Sequence, residues 1–270
     1  MVAKIIACLR RDLIKTPRLL RHKMKLTIKQ LNWTVLIAAS ALCAVSGFAQ
    51  TNAPAKPKWE SSAAVGLTIT RGNSDTEILT ASLLTAKLEK ENEYRFGIEG
   101  TYGKNNGIKN NESLHGFGQY NRLFTDRAYG YLRLDALHDA IADVEYRITF
   151  SPGVGYYFIK NETTRLSGEV GPGFVYEKQG EKTTGYITLR LAEKLEHKFN
   201  DRAKLWQSVE ILPQIDKFKN TIINAEIGVE TGLAKDFSLR TYLQDTYDTE
   251  PAPGRKKNDL KLVAAIAYKF

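Results

Sequence analysis

The segment from Leu260 to Phe270 alternates in a way that few folds can use. Leu260, Leu262, Ala264, Ile266, Tyr268 and Phe270 fall on one side of an extended chain, and Lys261 and Lys269 fall on the other. Successive side chains of a strand point to opposite faces, so this period-2 pattern gives a strand with one apolar side. A free apolar strand edge invites aggregation. The segment therefore needs partner strands along both edges and an apolar medium against one face.

The same rhythm runs upstream. It predicts twelve strands near residues 58–70, 76–89, 93–104, 111–124, 128–139, 143–159, 164–178, 183–199, 202–215, 220–234, 237–249 and 258–270. In the first, Ala63, Val65, Leu67 and Ile69 oppose Ser62, Gly66, Thr68 and Thr70. Tyr94, Phe96 and Ile98 oppose Arg95, Gly97 and Glu99 in the third. The sixth sets Val144, Tyr146, Ile148 and Phe150 against Glu145, Arg147, Thr149 and Ser151. In the tenth, Ile223, Ala225, Ile227 and Val229 oppose Asn224, Glu226, Gly228 and Glu230. Leu79, Leu83 and Leu84 of the second choose no face. No helical window competes, and residues 58–270 read as one domain.

Every other connection is tight and polar, as at Lys90-Glu91-Asn92, Thr125-Asp126-Arg127 and Asn200-Asp201. The intervening ones, Arg71 to Asp75, Asn105 to Asn110, Gln179 to Lys182 and Pro251 to Lys257, are expected to be longer or richer in Gly, Asn and Pro. Tight turns suit antiparallel hairpins, and alternating short turns and longer loops suit a barrel crossing a bacterial outer membrane. Phe124, Tyr129, Phe158, Phe199, Phe237 and Phe270 flank the tight turns, as an interfacial girdle would. The expected fold is thus all-β, an antiparallel up-and-down transmembrane barrel of twelve strands. It closes on itself because lipid cannot satisfy a free sheet edge. Its final strand resembles the C-terminal strand of bacterial outer-membrane barrels, in which a last Phe and an aromatic two residues earlier mark the chain for the barrel-assembly machinery. The matching residues are Tyr268 and Phe270.

Residues 1–49 read as a leader. Lys23, Lys25 and Lys29 precede an apolar run from Trp33 to Val45, and Gly47-Phe48-Ala49 offers a cleavage site after Ala49. Met24 is the expected true start. Residues 50–57 read as a disordered tail. The whole chain has 39 basic and 30 acidic residues, of which the leader holds nine and one, so 30 face 29 in the rest. The basicity belongs to export and gives no case for nucleic-acid binding. Cys8 and Cys43 also lie in the leader, leaving no disulfide framework behind it.

Under this reading the apolar face meets outer-membrane lipid and the polar face lines the interior. The expected lining is Arg95, Glu99, Arg133, Asp135, Glu145, Arg147, Glu169, Arg190, Lys194, Glu196, Glu210, Glu226, Glu230 and Arg240. Twelve strands enclose more space than the eight that side chains fill. The interior is either a narrow polar pore or an ion-paired plug, and its mixed signs argue against a pore for polyanions. Arg at Ile148 or Val229 is expected to cost about 2–4 kcal/mol, and much less at Thr149 or Gly228. His115, His138 and His197 lack metal-ligand spacing, and no cofactor motif is present. Ser113 and His115 share a strand face, the minimum for an outer-membrane lipid hydrolase, but no third partner can be assigned. No catalytic residue is therefore expected. A soluble periplasmic β-protein that binds a ligand is the remaining alternative.

Trp59, then Gly66-Leu67-Thr68, then Gly72-Asn73-Ser74-Asp75-Thr76 resemble the salt-induced outer membrane proteins, the YdiY-like family with domain of unknown function 481. The resemblance runs from Trp59 to Phe270 and implies an outer-membrane barrel, and with the family's name a link to salt stress. It brings no catalytic residue and no substrate. Physically, Gly72, Asn73, Ser74 and Asp75 set a turn, because Gly and Asn accept positive φ and the short polar side chains bond their own backbone.

Overall fold

The computed structural model describes residues 58–70 and 76–270. The leader, the tail and the Gly72–Asp75 motif lie outside them. Twelve strands follow in order: β1 Glu60–Thr70, β2 Thr76–Leu88, β3 Asn92–Asn105, β4 Ile108–Leu123, β5 Ala128–Asp139, β6 Val144–Lys160, β7 Thr164–Gln179, β8 Lys182–Lys198, β9 Ala203–Pro213, β10 Thr221–Gly232, β11 Phe237–Asp248 and β12 Asn258–Lys269. Each pairs antiparallel with its sequence neighbour, and β1 pairs with β12, so the sheet is a closed barrel. At the closing seam Ser62 stands opposite Lys269 and Val65 opposite Ile266. Backbone bonds between Ser61 and Phe270, at 3.0 and 3.3 Å, extend this seam.

The loops depart from a strict short and long alternation. Residues 214–220 and 249–257 are long, but β3 and β4 are joined by Asn106 and Gly107 alone, and β7 and β8 by residues 180–181. Asn106 and Gly107 both take positive φ, 51° and 79°. This pair matches the twist of flanking strands and lets a hairpin run to its tip. Residues 105 and 108–110, expected as loop, are therefore strand.

Closure gives every strand one inner and one outer face, and the apolar sets take the outer one. Ile148 is 44% exposed while its neighbour Thr149 is 6% exposed and inward. On β2, Leu79 and Leu83 point out with Leu67 and Ala63, their register partners. Leu84 points in because Gly97 opposite leaves it room; a Cβ there would stand 2.7 Å from Leu84 Cδ2.

Several expectations fail for identifiable reasons. A register shift between Val144 and Tyr146 puts Val144 inside and throws Glu145 out of the alternation. The Glu145 side chain is 58% exposed and pairs with Lys178 on the outer side. Tyr129, expected in the aromatic girdle, is 1% exposed and inward, its ring tilted against Tyr157 with centroids 5.0 Å apart. Phe124, Phe158, Phe199, Phe237 and Phe270 do point outward. Gly228 is no open, wet position either. A Cβ there would lie 2.2 Å from the Trp206 ring, so Arg at Gly228 is a severe overpacking.

Candidate functional site

The barrel interior is where the charged side chains converge. Inward positions on neighbouring strands share register, so each ladder rung delivers a row of side chains to the same space. Near the turn end that also holds the chain's last residue, Glu230 is 2% exposed. It accepts from Arg240 at 3.0 Å and Ser238 at 2.9 Å, and pairs with Lys204 at 3.2 Å and Lys269 at 2.6 Å. Glu93 accepts from Asn121 at 3.0 Å and Tyr157 at 2.5 Å, a second anchor at that level.

The middle of the barrel carries four bonded groups, the first two linked through Gln119. Arg190 on β8 donates to Glu169 on β7 at 2.8 Å and to Glu210 on β9 at 2.5 Å, with its guanidinium 5.0 Å from the Tyr131 ring. Glu169 also accepts from Gln119 at 2.7 Å and Tyr129 at 3.0 Å. Arg133 forks onto Asp135 at 2.7 and 2.8 Å and lies over the Phe117 ring. Glu99 accepts from Tyr242 at 2.6 Å and Lys261 at 2.9 Å, both from the far side of the closing seam. Glu226 accepts from Gln244 at 2.8 Å and from the Trp206 indole. Lys194 sits in the row opposite Ser167.

Two ion pairs cross the interior. Arg95 on β3 reaches Glu196 on β8 at 3.1 Å, and Arg147 on β6 reaches Asp248 on β11 at 3.0 Å. Each pair joins strands five places apart around the twelve-strand ring. A round barrel with strands about 4.8 Å apart and tilted about 40° measures about 24 Å across. One Arg and one Glu or Asp do not span that width, so the walls are drawn together along both lines. Arg147 also holds Glu177, which accepts from Tyr186 at 3.0 Å.

Of the fourteen expected lining residues, all but Glu145 project into this interior. The inward Phe117, which lies against Arg133 and has no polar tip, was not anticipated; nor were the inward Tyr129, Tyr131, Tyr157, Tyr186, Trp206 and Tyr242. The signal of the Tyr and Trp residues was present: each carries an N–H or O–H, whereas most of the outward girdle is Phe. Ser113 and His115 also face inward, opposite Thr101 and Glu99. His115 has the acidic partner that sequence could not assign, Asp135 at 3.3 Å, but the bond runs from Nε2 and no bond joins the ring to Ser113. His138 bonds the Glu145 carbonyl and His197 bonds Thr164, so the three histidines stay apart.

A family model described as "Protein of unknown function, DUF481" matches residues 63–270. No curated protein matches the sequence. Among solved structures, the NanC porin is similar with a TM-score of 0.50 at 7% identity, covering 79% of this chain and 100% of its own. LpxR from Salmonella typhimurium is similar at TM-score 0.44 and 11% identity, covering 79% and 100%. The translocator domain of the autotransporter NalP from Neisseria meningitidis has TM-score 0.43 and 12% identity, covering 90% and 95%. At these identities the likeness to the porin is one of fold, that of a bacterial outer-membrane barrel.

Proposed function

The chain belongs to the DUF481 family of proteins of unknown function, and from that premise we propose that it is a non-enzymatic outer-membrane barrel that stabilises the envelope, with its interior closed by ion pairs. The observation that carries the closed reading is the pair of salt bridges, Arg95 to Glu196 and Arg147 to Asp248, that draw opposite walls together. The outward apolar band meets outer-membrane lipid. Residues 1–49 direct export, and Tyr268 and Phe270 engage the barrel-assembly machinery. The link to salt stress rests on the family resemblance of the first hairpin.

A lipid hydrolase using Ser113 and His115 is disfavoured, because both side chains face away from lipid and His115 turns its Nε2 to Asp135. The soluble ligand-binder is disfavoured by the many large apolar side chains on the outer face. Fractionation of cells tests the reading. The protein is expected in the outer membrane, with gel mobility that changes on boiling, and with no release of fatty acid from phospholipid vesicles. Recovery in the soluble fraction would refute the membrane barrel. Fatty-acid release lost in Ser113→Ala or His115→Ala would make it an enzyme.

A further inference from the structure

The outward stripe of β8, Ile187, Leu189, Leu191 and Leu195, is interrupted by Glu193. Glu193 stands between Gly168 on β7 and Val209 on β9, in the middle of the outer face. Gln207 on β9 also points outward, opposite Leu195 and so diagonal to Glu193. Neither side chain has a hydrogen bond or ion pair among the described residues. The other charged groups of this outer face sit near strand ends or have partners, as Asp245 has in Asn258. A carboxylate and an amide side by side in hydrocarbon are costly unless something pairs with them.

Beside them runs an apolar groove of about 620 Å³, walled by Phe158, Val170, Leu191, Val209 and Ile211 and floored by Gly168. Lipid chains fill such a groove but offer the carboxylate no donor. A second copy of the same face does. A carboxylate only accepts and an amide nitrogen donates. A two-fold axis brings Glu193 of one copy to Gln207 of the other and repeats the contact in reverse, the self-complementarity that an isologous interface requires.

We propose that the outward face of β7–β9 pairs two copies of this chain about a two-fold axis, with Glu193 of each accepting a hydrogen bond from Gln207 of the other. The inference rests on the membrane reading given above. The test uses the full chain with Cys8 and Cys43 changed to Ser, carrying one new cysteine, in isolated outer membranes treated with a short bismaleimide. Val209→Cys is expected to give a cross-linked dimer. Leu83→Cys, on β2 six strands from β8 at the centre of the face, is expected to give none. Adding Glu193→Leu or Gln207→Leu should lower the Val209 cross-link at least tenfold, while boiling-dependent gel mobility shows that these variants still fold. A cross-link equal at both cysteines, or unchanged in both Leu variants, overturns the interface. A protein that is membrane-bound and heat-modifiable yet never cross-links overturns the dimer alone. Recovery in the soluble fraction overturns the membrane reading and the dimer with it.

Discussion

Replacing Arg190 by Met is expected to lower the unfolding free energy by about 3–5 kcal/mol, the range for removing one partner of a buried ion pair. Arg190 is 4% exposed and sits between Glu169 and Glu210 with no other cation bonded to either. Without it two carboxylates face each other inside the barrel. Met matches the length of the lost stem, so little of the loss comes from a cavity. The measurement is urea unfolding from liposomes followed by fluorescence of Trp206, which lies inside the barrel beside Tyr242. Adding Glu169→Gln to Arg190→Met removes one stranded charge and is expected to recover part of the loss, as coupled neighbours do. A loss below about 1 kcal/mol would mean that water already screens this group, as at an exposed ion pair.

Arg at Ile148 is expected to cost about 2 kcal/mol in the same assay, because a cation on the lipid face costs about 2–4 kcal/mol at the bilayer midplane and less toward the interfaces. Ile148 points outward from the fifth residue of β6, flanked by Ala136 and Tyr176 on the neighbouring strands. Ile148→Leu keeps the apolar character and is expected to cost under about 1.5 kcal/mol. An Arg penalty under about 0.5 kcal/mol would put Ile148 in water, as for an ordinary surface substitution.

These two positions show why much of the fold could be read in the chain. Period 2 fixes the face of a strand residue without any knowledge of its partners, so Ile148, Val229, Arg147 and Glu230 were assignable from their neighbours alone. The even strand count and closure follow from that pattern and the turns. What failed depends on distant contacts or local irregularity. The shift at Val144 moved Glu145 to the outside, and nothing in the residues Val-Glu-Tyr marks a bulge. The Asn106-Gly107 turn was legible as a type I′ pair and was lost within a segment taken as loop. Leu84 points inward because Gly97 on the next strand is empty, a fact about register. The choice between pore and plug was not legible at all. It turns on which strands lie across from one another, and Arg95 and Glu196 are 101 residues apart in sequence. The third member of the His115 group was hidden in the same way, since Asp135 arrives from the adjacent strand.

The closed interior is tested most directly by electrical recording from a planar lipid bilayer containing the purified, heat-modifiable barrel. With Arg95–Glu196 and Arg147–Asp248 bridging the walls, the wild type is expected to add no stable conductance steps in molar potassium chloride. Arg95→Ala combined with Arg147→Ala removes one end of both bridges and is expected to give steps where the wild type gives none. Well-defined, long-lived steps from the wild-type protein would contradict the plug and make the interior a pore.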